Sequence, residues 1–166
     1  IGAESSRPGA LTIDENIEIE RIFSTISFLD KKNKYYSIDT YKPNVVKFAI
    51  KNGFNMVNDI TGGINPEMLE IVSEAKIPIV LMHMKGSPQN MQNNPKYNNI
   101  IDDLLSFFES RIDSCLKYGI DKKQIIIDPG IGFGKTTSDN DAIIRCLDKF
   151  KRLFQRTFFY RFRVKK

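Results

Sequence analysis

Gln124-Ile125-Ile126-Ile127-Asp128-Pro129-Gly130-Ile131-Gly132-Phe133-Gly134-Lys135 is an apolar run that stops on a carboxylate and a proline, then alternates glycine with apolar residues. An uninterrupted isoleucine run of this length is what a strand covered on both faces looks like, and Pro-Gly punctuates it. The same order recurs upstream. Ile77–His83 is a continuous apolar strand, followed by a Pro/Gly/Asn-rich loop from Met84 to Lys96 and a helix from about Asn98 to Tyr118. Asn55–Asn58 reads as a strand closed by Asp59 and Gly62-Gly63, with a helix from Pro66 to about Ala75. Tyr35–Asp39 reads as a short strand ending in Asp39-Thr40, and Pro43 then opens a helix that Gly53 stops. Apolar residues at three- and four-residue steps predict a helix from Asp14 to about Leu29, and another begins over Asp139–Phe150. Ile1–Glu4 looks like the end of a strand entering a loop.

Strand, loop and helix in repeated order imply an α/β chain with a parallel sheet and helices outside it. The polar signals follow each strand, so they fall at the carboxyl edge. An open doubly wound sheet and a (β/α)8 barrel both satisfy this pattern. A complete barrel takes about 250 residues, so 166 residues could hold only its middle. Local pattern leaves both architectures open.

With 41% hydrophobic and 27% charged residues the chain predicts a soluble globular protein. No apolar run approaches the roughly 20 residues that span a bilayer, so no membrane partner is expected. Cys115 and Cys146 form no CxxC, and His83 cannot complete a zinc site with them, so a reduced, cytoplasmic setting is expected. The net charge of +5 invites a nucleic-acid reading, but residues 145–166 alone carry +8 and the preceding 144 carry −3. The body is mildly acidic.

Four strand ends present polar groups: Asp39, Asn58 with Asp59, His83, and Asp128. In a parallel sheet they would converge within reach of one small ligand. Each also has a plain alternative. Asp and Asn after a strand cap helices and make turns, and a lone histidine such as His83 is commonly a packed, satisfied side chain. Gly134-Lys135-Thr136 matches the end of a phosphate-binding P-loop, but the first glycine of that motif would fall at Pro129. Proline has no N–H to offer a phosphate, and the nucleotide reading fails there.

Five stretches together resemble the dihydropteroate synthase family, in the family's own order. Ile1-Gly-Ala-Glu-Ser-Ser-Arg-Pro-Gly-Ala10 is similar to its second strand and loop, Ser37-Ile-Asp-Thr40 to its third strand, and Asn58-Asp-Ile-Thr-Gly-Gly63 to its fourth. Leu81-Met-His-Met-Lys-Gly-Ser-Pro-Gln-Asn-Met91 is similar to its fifth strand and loop, and Ile127–Lys135 to its sixth. The resemblance implies a partial (β/α)8 TIM barrel over residues 1–150, from the end of strand 2 through helix 6, with residues 151–166 as a basic tail that does not match. It implies a transferase of folate biosynthesis, which joins a dihydropterin methyl diphosphate to p-aminobenzoate and releases pyrophosphate with magnesium assistance. It implies pterin contacts at Asp39, Asn58 and Asp128, with Ile60 and Met82 as apolar wall. It places Ser6, Arg7, Pro8, Phe133 and Lys135 on the p-aminobenzoate and diphosphate side. Asp39 and Arg7 are the expected catalytic residues, through stabilisation of the developing cation and of the diphosphate. The family is commonly a homodimer.

The departures matter as well. The family's first strand, with the Asn it uses near magnesium, has no counterpart here, nor have the seventh-strand Ser-Arg-Lys and eighth-strand Arg-x-His. No metal ligand is therefore expected in this chain. The tail reads either as an ordinary basic terminal helix or as out of frame, and a shifted frame of the coding DNA that fails to restore Ser-Arg-Lys excludes the latter. Two further readings are a pterin-dependent methyltransferase domain and a basic nucleic-acid-binding module, the latter requiring a salt-dependent affinity lost on removal of residues 151–166. The isolated 166 residues are expected not to turn over; dihydropteroate formed by purified chain with both substrates and magnesium would overturn this.

Overall fold

The computed structural model describes residues 1–30 and 34–154. The elements run α1 (Glu15–Ile26), β1 (Ser37–Asp39), α2 (Pro43–Lys51), β2 (Met56–Asp59), α3 (Pro66–Ala75), β3 (Ile79–Met82), α4 (Ile100–Lys117), β4 (Ile125–Asp128), α5 (Thr137–Arg145) and α6 (Leu147–Phe154). The strands form one sheet in the order β1-β2-β3-β4, and every neighbouring pair is parallel. A monotonic order separates the two architectures the sequence left open. Right-handed crossovers between strands that always step the same way put every connecting helix on one face. A doubly wound sheet must reverse its strand order somewhere, and this one does not.

The register divides the strand residues between the two faces. Asp39 pairs with Asn58, Asn58 with Val80, Val80 with Ile126, and Met82 with Asp128. Side chains alternate along a strand, so these six share one face. The opposite face carries Ile38, Val57, Ile79, Leu81, Ile125 and Ile127, all buried in the main apolar core with Val45, Val46, Met68, Val72, Leu104 and Phe108 from the helices. β3 and β4 are buried at every position because both faces are covered.

Local chemistry sets the helix ends. Asp14, Asn65 and Asn99 each accept a backbone N–H of the following first turn, and Thr136 with Asp139 forms a reciprocal capping box. Pro43 and Pro66 open α2 and α3. Two expectations change. Ile1–Glu4 forms no strand, yet it lies beside β1 as a parallel strand would: the Ile1 nitrogen donates to Ser37 O and Asp39 N donates to Ile1 O, both at 2.7 Å. The helix expected over Asp139–Phe150 is broken at Cys146 (φ −104°, ψ 11°), which redirects the chain so that Phe150 packs edge-on against Phe108. Residues 155–166, which hold most of the basic tail, lie outside the described residues.

A part-buried ion network joins the N-terminal loop to the sheet and helices behind it. Lys42 Nζ donates to Glu4 Oε2 (2.6 Å), Glu18 Oε2 (2.8 Å) and Ile13 O (2.6 Å), and Tyr41 donates to Glu4 Oε1 (2.9 Å). The Glu18 side chain is fully buried, and its Oε1 has no hydrogen-bond partner among the described residues. Burial alone would raise Glu4, but Lys42, the Ile13 amide and Tyr41 hold it below its ordinary 4.5. Burial opposes the charge on Lys42, yet the hydrogen bonds from Glu18 and Glu4 lift it above 10.5. Both shifts favour the ionised pair. The network therefore contributes its full stability between about pH 4.5 and 10.5, losing it in acid as Glu4 protonates and in base as Lys42 deprotonates. Lys42→Met strands the fully buried Glu18 carboxylate and the half-buried Glu4 carboxylate and should cost about 3–5 kcal/mol in urea unfolding, with part regained in the Lys42→Met/Glu18→Gln double variant.

Candidate functional site

At the carboxyl edge of the sheet one pocket gathers residues from five chain segments. It encloses about 370 Å³ including its open mouth, and its lining is Ser6, Asp39, Asn58, Ile60, Met82, Asp128, Gly130, Ile131 and Phe133. The strand register explains the polar part. Asp39 and Asn58 are direct partners on adjacent strands, and Asn58 Nδ2 donates to Asp39 Oδ1 at 2.9 Å. Asp128 lies two residues farther along the same face, beside Met82. Its Oδ1 accepts the Gly130 N–H at 2.8 Å, which turns the chain sharply after β4.

The period of two also decides between neighbours. Asp59 follows Asn58 and points the other way, fully buried under α3. Its Oδ1 accepts from Thr61 N (2.8 Å) and Thr61 Oγ1 (2.7 Å), and its Oδ2 accepts from Gly63 N (3.0 Å). Burial raises its pKa against those hydrogen bonds. Asp59 builds the turn, and Asn58 faces the pocket.

His83 is a packed residue, as its plain reading held. It is 8% exposed, and its ring stands edge-on to Phe107 with centroids 4.8 Å apart. Burial, with Lys135 and Lys85 nearby, lowers its pKa to about 3. Lys135 stands where the sequence did not put it. It is 4% exposed, with its amine turned into its own loop rather than into the pocket. Arg7 and Pro8 are exposed on the loop before α1 and do not line the pocket, whereas Ser6 does. That loop is tied across by Gly9 N donating to Pro88 O at 2.9 Å.

Two lining residues, Gly130 and Ile131, were not among the expected site residues. The signal was present in the glycine alternation of residues 130–134, which carries an apolar side chain at every second position. Gly130, Gly132 and Gly134 all have positive φ, but they differ in surroundings. A Cβ at Gly130 would lie 2.0 Å from His83 O, while one at Gly132 would meet nothing within 4 Å.

Chemically the pocket offers two carboxylates and one carboxamide above an apolar floor. Such a set suits a flat heterocycle with several N–H donors along one edge. Among the described residues no group of three or more His, Cys, Asp or Glu is arranged to hold a metal ion, and no helix is long and apolar enough to cross a membrane.

A sequence model of pterin-binding enzymes matches residues 1–162. The dihydropteroate synthase of Synechocystis is 42% identical over 155 residues, covering 92% of this chain and 54% of that protein. The Yersinia pestis dihydropteroate synthase, solved with a sulfonamide drug, superposes with a TM-score of 0.87 at 33% identity, covering 93% of this chain and 56% of that one. The Xanthomonas albilineans enzyme, solved with 4-aminobenzoic acid, gives 0.86 at 34% identity over 95% and 56%. The chain thus spans a little over half the length of these relatives, and its sheet is a section of their (β/α)8 barrel.

The contrast between glycines is testable. Gly132→Ala should cost only the left-handed strain of about 1–2 kcal/mol, whereas Gly130→Ala must also displace the β3 end. In parallel thermal melts Gly130→Ala should lose markedly more; equal losses would contradict the close approach.

Proposed function

The chain belongs to the family of pterin-binding enzymes, and we propose that its pocket is the pterin site of a dihydropteroate synthase. In that reaction the arylamine nitrogen of p-aminobenzoate attacks the methylene carbon of a dihydropterin methyl diphosphate. The carbon–oxygen bond breaks, pyrophosphate leaves with the electron pair, and the amine loses a proton. The observation that carries the reading is the convergence of Asp39, Asn58 and Asp128, from three strands, on one pocket floored by Ile60 and Met82.

Each residue has a part that its chemistry fits. Asp128 accepts a pair of N–H groups from the guanidine-like edge of the pterin. Asn58, already donating to Asp39, offers its carbonyl oxygen to the ring. Asp39 would present its side chain beside the methylene as cationic character develops there. Phe133 and Ile131 form the wall on which the arylamine would rest, and Ser6 sits at the rim. Arg7, exposed on the loop next to Ser6, would meet the diphosphate through its planar fork. The dihydropteroate synthases above, with a sulfonamide and with 4-aminobenzoic acid bound, support this substrate class.

Magnesium belongs to the same expectation, but the described residues supply no acidic or histidine cluster for it. A homodimer is carried over from the family resemblance. A cytoplasmic setting fits the two free thiols, Cys115 and Cys146.

Calorimetric titration of the chain with a dihydropterin tests the reading. Asp128→Asn keeps the shape but removes the charge, and should weaken binding about ten- to a hundredfold. Failure of the unaltered chain to bind, or equal binding by Asp128→Asn, would defeat it.

A further inference from the structure

Lys135 is a long cationic side chain held almost entirely out of water. Its Nζ lies 3.0 Å from Gly130 O, 3.0 Å from Phe133 O, 3.2 Å from His83 O and 3.0 Å from His83 Nδ1. Two of these acceptors belong to the loop after β4, and two belong to the residue that follows β3. The loop carries the pocket residues Gly130, Ile131 and Phe133. It has no ladder bonds of its own, yet its backbone is pinned at several further points. Tyr97 Oη donates to Gly134 O (2.7 Å), Gln92 Nε2 donates to Gly132 O (2.9 Å), and Gly132 N donates to Asn140 Oδ1 (3.0 Å). Lys135 adds a side-chain link between the two strand ends, beside the His83 N–H donated to Asp128 O at 3.0 Å.

We infer that Lys135 is a positioning residue: its buried ammonium clamps the loop after β4 to the end of β3 and so presents Ile131 and Phe133 as a fixed wall of the pocket. Counting hydrogens extends the inference. Four acceptors surround an ammonium that has three N–H bonds, so these bonds are shared among the three carbonyl oxygens and His83 Nδ1. An ammonium has no lone pair, so His83 Nδ1 can only be an acceptor. The ring proton then sits on Nε2. His83 is thereby a neutral strut rather than a base, and its Nδ1 completes the cradle around the lysine.

The electrostatics agree with this arrangement. Burial pulls Lys135 down to about 7, against the attraction of Asp128 and Asp139. The other charged group facing the pair is Lys85, which lowers His83 further and itself lies over the Tyr97 ring at 4.3 Å. Tyr97, with its own pKa raised by burial, stays protonated across the working range. Near pH 6 the cradle holds one cation and one neutral imidazole.

The clamp stands on geometry alone; its consequence for the arylamine wall rests on the function proposed above. The chain has one histidine, so its imidazole nitrogen resonances report on this site without interference. In the unaltered chain they should show a proton on Nε2 at pH 6 and no second protonation between pH 5 and 8. A proton on Nδ1 at pH 6, or a midpoint near the ordinary 6.5, would overturn the clamp. Lys135→Met should raise the His83 midpoint by removing the neighbouring charge. It should also speed amide exchange at Gly132 and Phe133 about tenfold or more, leaving β1–β3 amides unchanged. Unchanged exchange at those two amides would overturn it. If Lys135→Met fails to fold, the measurement on the unaltered chain still decides. Binding of p-aminobenzoate separates the two ideas: a protein with the expected histidine and exchange behaviour that binds no p-aminobenzoate keeps the clamp and loses the function.

Discussion

The parallel register of β1 to β4 is the constraint from which the site follows. A shift of one residue between β1 and β2 would send Asn58 into the helix layer and turn Asp59 into the pocket. What prevents the slip is the apolar half of the same strands. Ile38, Val57, Ile79 and Leu81 are all buried against the helices, and moving them to the pocket face would expose or misplace every one. The hydrophobic effect on one face thus positions the carboxylates on the other.

Two lysines, the half-buried Lys42 and the buried Lys135, do for the loops what the register does for the strands. Lys42 collects Glu4, Glu18 and the Ile13 carbonyl, and so fixes both ends of the loop that carries Ser6 and Arg7. Lys135 collects carbonyls from the loop that carries Phe133. In both cases a segment without secondary structure is held by charge-assisted hydrogen bonds in a poorly solvated place, where such bonds are strong and an unmet partner is costly. The two devices differ in sign. Lys42 is paired with carboxylates and its pKa is raised, whereas Lys135 meets mainly neutral acceptors and its pKa falls.

Much of the fold was legible because it depends on local pattern. The apolar runs at Ile125–Ile127 and Ile79–Met82, the prolines at the starts of α2 and α3, and the capping residues all act within a few positions of themselves. Seven of the expected site residues, Ser6, Asp39, Asn58, Ile60, Met82, Asp128 and Phe133, line one pocket; all but Ser6 end or follow a strand, and Ser6 follows the segment that runs beside β1. Lys135 was misjudged because a lysine after a glycine loop has no local signal of burial. The break at Cys146 has no local signal, because it accompanies the packing of Phe150 against Phe108, a contact remote in sequence.

The amino-acid sequence by itself determined the alternation of elements, the strand-end residues and the family resemblance, since these rest on short-range spacing and residue chemistry. Local spacing fitted an open sheet and a barrel section equally; the family resemblance implied the barrel, and the strand order β1-β2-β3-β4, a long-range property, shows it directly. The tertiary structure showed why Asn58 rather than Asp59 faces the pocket, and it alone showed that Lys135 is buried, because side-chain direction and burial depend on what packs alongside.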